Sequence, residues 1–118
     1  MSKLNPSAQK WVEALRSGKY EQTRGALRKG DWFCCLGVAC ELAIESGVDI
    51  RRTDEYRGYT GVVPNRLLPP VVGEWLRLKG RDADWSLAGK NDSGKTFAEI
   101  ADLIEQHADE LFISDGAA

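Results

Sequence analysis

Apolar and polar positions along the chain sort into helical stripes separated by short extended or turn-rich stretches. Residues 5–18, NPSAQKWVEALRSG, put Trp11, Val12 and Leu15 at i, i+1 and i+4, the stripe of an amphipathic helix. Asn5 is its N-cap and Pro6 takes the first helical position, where a missing N–H costs nothing. Gly18 stops it. Residues 20–34, YEQTRGALRKGDWFC, hold two short extended pieces around a turn at Lys29-Gly30-Asp31 and predict a hairpin.

The most apolar segment is CCLGVACELAIESG, residues 34–47. Cys35, Val38, Ala39 and Leu42 share one helical face; Leu36, Cys40, Ala43 and Ile44 cover most of the rest. Only Glu41 and Glu45 are expected in water, so this is a buried central helix. Gly37 inside it costs about 1 kcal/mol relative to alanine, which predicts a neighbour packed close against its backbone. Residues 48–68 are turn-rich, with Tyr56, Tyr59, Val62 and Val63 marking short strands or an ordered loop. PPVVGEWLRLKG predicts a short helix turning Val71, Val72, Trp75 and Leu76 inward. ADWSLAGKNDSG predicts a strand over about 84–89 and a tight turn. Thr96-Phe97-Ala98-Glu99 is a capping box opening a last helix with Phe97, Ile100, Ala101, Leu103, Ile104, Ala108 and Leu111 on its buried stripe. The sum is an α+β fold. It forms one small domain over 1–118, with about four helices, a buried central helix, a small antiparallel sheet, and loose ends at 1–4 and 114–118.

Composition places this pattern in the ordinary globular class: 42% hydrophobic and 29% charged residues suit a packed core with a wet surface. A net charge of −2 gives no general field for nucleic acid. Local basic clusters at 24–29, 51–57 and 77–81 have acidic neighbours and read as solvated faces. No stretch approaches the roughly 18 apolar residues of a membrane span, and no apolar run follows a basic start, so no secretory leader is expected. Three cysteines, two of them adjacent, are no disulfide framework and fit a reducing cytoplasm.

GKNDSGKT, residues 89–96, matches the phosphate-cradling pattern G-x-x-x-x-G-K-S/T. A working P-loop needs an apolar parallel strand before it and a second carboxylate for Mg²⁺ on another strand. DWSLA is polar at alternate positions, and only 22 residues follow Thr96. The match is therefore read as a coincidence, a turn feeding a capped helix. The amides at that helix start still form an anion site, flanked by Lys90 and Lys95.

Cys34 and Cys35 stand at a helix entry, where a thiol can become a nucleophile, but a hydrolase also needs a base, and His107 is the sole histidine. Buried thiols are the other reading. Cys-Cys-x4-Cys with one histidine fits no usual zinc spacing, and no cofactor or metal is expected. Of Trp11, Trp32, Trp75 and Trp85, three are expected in the core. Trp32 and Trp85 are the candidates for a stacking surface.

The strings WVEALRSGKYEQTRGALRKGDWFCCLGVACELA, VVGEWLRL and NDSGKTFAEIADLIE resemble a family of small proteins encoded by bacteriophages and prophages. Its pattern is W-x-x-A-L-R-S-G-x-Y, then C-C-L-G-V-x-C, then N-D-x-G-x-S/T-F-x-x-I-A. Ala39 stands where a larger aliphatic residue is expected. The resemblance implies that NDSGKTF is the family's own turn and cap, completed into a P-loop match by Gly89. It also implies a phage context, in which small proteins often counter host defence. The function expected is a non-enzymatic counter-defence protein, in the cytoplasm of an infected bacterium, that sequesters a small phosphorylated ligand. Candidates are a cyclic nucleotide or an ADP-ribose derivative among immune signals. A homo-oligomer is compatible with this; membrane and nucleic acid are not expected partners. The expected ligand-binding residues are Lys90, Asn91, Asp92, Lys95 and Thr96, with Arg24 and Trp32 from the hairpin holding a base or second phosphate. The alternatives are a protein–protein inhibitor of a host defence factor and a cysteine-dependent hydrolase.

Overall fold

The structure is a computed structural model that describes residues 4–24, 27–29, 31–51, 68–79 and 81–113. The strands or ordered loop expected around residues 56–63, and residues 1–3 and 114–118 of the expected loose ends, lie outside the described residues; Leu4, the last residue of the first expected loose end, is half-buried against the core. Within them the order is α1 (Pro6–Arg16), β1 (Glu21–Gln22), β2 (Arg28–Lys29), β3 (Trp32–Phe33), α2 (Cys35–Glu45), α3 (Pro70–Leu76), α4 (Arg81–Asp92), α5 (Phe97–Gln106) and α6 (Ala108–Leu111). This is an α+β fold.

α1 forms where its pattern predicts. The Asn5 side chain accepts the Ala8 N–H at 2.9 Å, and Ala8, Trp11, Val12 and Leu15 are buried. The other end of the Asn5 amide donates to Leu76 O at 2.8 Å, joining the start of α1 to the end of α3. Trp11 Nε1 donates to Cys35 O at 2.8 Å and ties α1 to α2. A buried indole thus keeps its polar atom satisfied. On the surface, Arg16 pairs with Asp102 and Glu105 of α5. Those two acceptors raise the pKa of a guanidinium that is charged in any case.

α2 is the central helix, packed against α1, α3, α4 and β3. Its N-cap is Cys34, whose Sγ accepts the Gly37 N–H at 3.4 Å. Glu45 is exposed as expected, but Glu41 is buried. The difference follows from position: the side of α2 carrying Glu41 is also covered, near Tyr20. Burial, and then the charges of Glu45 and Glu41, push the Tyr20 phenol up.

Gly37 has the close neighbour that its cost implies. A Cβ there would overlap the backbone carbonyl of Leu27, which itself accepts the Cys34 N–H at 3.1 Å. Gly37→Ala therefore gains about 1 kcal/mol of helix propensity but forces apart two backbones that cannot rotate away. The expected net loss is about 2 kcal/mol, read as a fall in the urea midpoint with an unchanged m-value. A neutral Gly37→Ala would show that the Leu27 backbone and α2 are not in this contact.

The pairing of the expected hairpin is present, with β2 antiparallel to β3, while Gly30 of its turn lies outside the described residues. The sheet as a whole is not antiparallel. A third strand, β1, pairs parallel to the far edge of β3 in the order β1-β3-β2, with Glu21 opposite Trp32 and Gln22 opposite Phe33. β1 cannot reach β3 through a tight turn because β2 follows it in the chain. It is added on the opposite side, where Thr23 N donates to Phe33 O at 2.8 Å. Tyr20 and Phe33 meet edge to face, with ring centroids 5.6 Å apart.

α3 buries Val72 and Leu76, one turn apart, and half-buries Trp75. Val71, expected inward, is 39% exposed because it lies one step round a seven-residue helix. The strand expected at 84–89 is the middle of α4. Leu87, Ala88 and Asn91 are buried at i, i+1 and i+4, so the alternation of DWSLA is half of a helical stripe rather than a strand period. No helix among the described residues is long and apolar enough to cross a membrane.

Candidate functional site

The stretch 89–96 is a helix stop joined to a helix start. At the end of α4, Lys95 N donates to Lys90 O at 3.1 Å and Gly94 N to Asn91 O at 3.4 Å. This is the Schellman pairing that satisfies the last carbonyls of a helix. Gly94 holds φ at +109°, which an L side chain rarely adopts. Two residues later the capping box closes. Glu99 N donates to Thr96 Oγ1 at 3.2 Å, and Thr96 N donates to Glu99 Oε1 at 3.0 Å. The Thr96 N–H, then the Thr96 hydroxyl and the nearby Lys95 charge, hold the Glu99 carboxyl below its usual range. A carboxylate of the chain itself thus already occupies the entry to α5.

Asn91 is fully buried and is the hub of this junction. Its Oδ1 accepts from Gln22 Nε2 at 2.8 Å and from the Cys35 N–H at 3.2 Å. Its Nδ2 donates to Thr23 O at 2.8 Å. One amide therefore joins β1, the N-terminus of α2 and the C-terminus of α4. Gln22 adds a second bond, to Lys95 O at 2.7 Å. Arg24 Nε donates to Asn91 O at 3.1 Å, placing a cation at the negative end of α4.

The expected ligand-binding residues separate accordingly. Asn91 and Arg24 meet, as parts of the junction, and Asp92 is half-buried with Oδ1 3.5 Å from Asn91 Nδ2. Thr96 serves the cap, and Lys95 is exposed beside it. Trp32 is 53% exposed on β3, in register with Glu21 and Lys29. The side chain of Trp85 lies outside the described residues.

Lys90 points to a different place. It borders a cleft of about 260 Å³ between α4 and the α5–α6 corner. Ser86, Leu87 and Lys90 come from α4, Leu103 from α5, His107 from the corner, and Glu110 and Leu111 from α6. The His107 Nδ1 lies 3.5 Å from Glu110 Oε2. Three leucines line the cleft, with a cation on one wall and a carboxylate on the other. Ser86, His107 and Glu110 were not among the expected site residues. Their signal was the spacing 86, 87, 90 against 103, 107, 110, 111, which makes two facing stripes only once 81–92 is helical.

The cysteines are packed groups. Burial pushes the Cys34 thiol up to about 12, outweighing the Gly37 and Leu36 amides that would lower it. Burial likewise raises Cys35 well above the usual thiol range, and its Sγ lies 3.6 Å from Leu87 O as a donor. His107 is half-exposed at the α5–α6 corner, paired with Glu110. A helix N-terminus activates a thiol only where the thiolate is solvated or paired. Among the described residues no group of three His, Cys, Asp or Glu side chains is placed to hold a metal ion.

No curated protein and no solved structure matches the chain. A family model does, over residues 5–108, a span that runs from the cap of α1 through the Asn91 junction to the first residue of α6. The chain belongs to the family described as a domain of unknown function, DUF8296.

Proposed function

We propose that this protein binds and sequesters a small phosphorylated ligand, such as a host immune signalling nucleotide, without chemically changing it. The cleft carrying Lys90 is the observation that carries the reading. It offers an ammonium group for phosphate, a serine hydroxyl one helical turn away, and apolar walls for the rest of a small molecule. The absence of turnover in this proposal rests on the buried thiols and on the helix that stands where a P-loop would need a strand. The resemblance to phage-encoded proteins supports a counter-defence role, exerted by lowering the free concentration of a signal.

Calorimetry with cyclic dinucleotides, cyclic trinucleotides, ADP-ribose derivatives and mononucleotides tests the reading. Lys90→Ala is expected to weaken binding at least tenfold, with a melting temperature close to that of the parent, because exposed lysines contribute little to folding. Added salt weakens the same complex by screening. Lys95→Ala, outside the cleft lining, has the smaller effect; a larger effect there would move the ligand to the α5 entry. If no phosphorylated compound binds tighter than high micromolar and Lys90→Ala still acts in cells, the proposal is wrong.

A second reading, inhibition of a host protein by direct contact, is favoured by the exposed Trp32, since half-exposed tryptophans are frequent anchors in interfaces. It forecasts loss of function in Trp32→Ala and tolerance of Lys90→Ala.

A further inference from the structure

The two walls of the cleft carry opposite charges, and that asymmetry limits what can fill it. Ser86 and Lys90 lie four residues apart on α4 and present donors on one side. Glu110, with His107 beside it, presents an acceptor on the other. An anion with no other polar group would be drawn to Lys90 and repelled by Glu110. An apolar anion would offer Glu110 nothing beyond the His107 contact it already has. A ligand satisfies both walls when it carries an anion at one end, hydrogen-bond donors at the other, and a weakly polar body across Leu87, Leu103 and Leu111.

Size narrows the class further. About 260 Å³ lies just under the roughly 300–1,000 Å³ common for small-molecule pockets. One nucleotide unit suits such a cleft, with its phosphate at the rim, whereas a cyclic dinucleotide has twice the bulk.

Resting on the reading that the protein holds a phosphorylated ligand, we infer that the cleft binds a nucleoside monophosphate. Its phosphate meets Lys90 and Ser86, and its ribose hydroxyls donate to Glu110. A carboxylate that accepts from a ribose diol is a recurrent way of recognising that sugar. The base lies on the leucines, with aliphatic rather than aromatic contact.

The test is calorimetric titration of the four ribonucleoside 5′-monophosphates, 2′,3′-dideoxyadenosine 5′-monophosphate and cyclic di-AMP into the parent protein, Lys90→Ala and Glu110→Ala. Melting curves verify that each variant folds; both side chains are exposed, so folding is retained. At least one ribonucleoside monophosphate is expected to bind. Lys90→Ala weakens it at least tenfold, and Glu110→Ala about tenfold. The dideoxy compound binds about tenfold more weakly than AMP to the parent and is indifferent to Glu110→Ala. Equal binding of AMP and its dideoxy analogue overturns the ribose contact. Binding of cyclic di-AMP with no mononucleotide binding overturns the size argument and leaves the broader proposal standing. Mononucleotide binding insensitive to both substitutions overturns the assignment to this cleft. Binding of none of these compounds overturns the inference, and failure of the wider ligand panel as well overturns the function from which it starts.

Discussion

Asn91→Ala destabilises the protein by about 4 kcal/mol, a large effect for so small a side chain. The amide is fully buried and bonded in three directions. Removing it leaves the Cys35 N–H without that acceptor and Thr23 O without that donor. An unmade hydrogen bond of a buried group costs about 1–3 kcal/mol, and the small void left behind adds to it. Gln22 is less affected because its Nε2 also donates to Lys95 O. Asn91→Asp does not rescue the protein. A carboxylate can accept from Gln22 and Cys35, but it cannot donate to Thr23 O and it brings a charge into the interior. The measurement is denaturant unfolding of the parent and both variants, with amide hydrogen exchange at Cys35 as the local probe. Exchange at that amide is expected to accelerate in Asn91→Ala beyond what global unfolding accounts for. A loss under about 1 kcal/mol, well below the cost of one orphaned buried group, would show that the three elements are held by something else.

Stability is expected to fall at high pH through the buried thiols. The Cys34 pKa rises from an ordinary value of 9.0 to about 12 in the folded chain, because burial disfavours the thiolate. Cys35 shifts in the same direction for the same reason. Below pH 9 both folded and unfolded chains hold these protons, and the stability is fully present. Above pH 9 the unfolded chain releases them while the folded chain keeps them, so stability falls until the pH passes the folded value. At about 1.4 kcal/mol per pKa unit, Cys34 alone accounts for a loss of about 4 kcal/mol between pH 9 and 12. Other groups also titrate in this range, and half-buried Tyr20 adds a loss of the same sign. The diagnostic is therefore a difference: Cys34→Ala shows a shallower fall in stability with pH than the parent. A thiol reagent gives the second readout, reacting with the native protein only as fast as it opens. Rapid reaction of Cys34 or Cys35 at pH 8 in the folded state would restore the nucleophile reading.

Much of the fold was legible because its signals are local. Asn5-Pro6, the apolar face of 35–45 and the Thr96–Glu99 box each act within one helical turn. Each appears where its residues place it. The cost of Gly37 was legible too, although its cause, the Leu27 carbonyl, lies outside the helix, just before β2. The failures are of one kind. A five-residue alternation such as DWSLA satisfies strand and helix alike, and what settles it as helix is that Leu87, Ala88 and Asn91 all face the core. The extra strand β1 is two residues long, below any periodic signal, and exists because β3 has an open edge.

The chain alone therefore establishes where α1, α2 and α5 start, which faces of α1 and α5 are apolar, and that a capped helix opens at Thr96, because capping and amphipathicity are short-range consequences of residue type. It does not establish which side chains share a space. Asn91 looked like a wet turn residue until α4, β1 and α2 converged on it, since burial is a property of what packs above a residue. Lys90 parted from Lys95 because one turns toward the α5–α6 corner while the other stays at the cap. The thiols followed the same rule. A helix N-terminus lowers a thiol pKa by about the strength of a few dipoles, and full desolvation opposes it more strongly, so the position of Cys34 in the core outweighs its position in the helix.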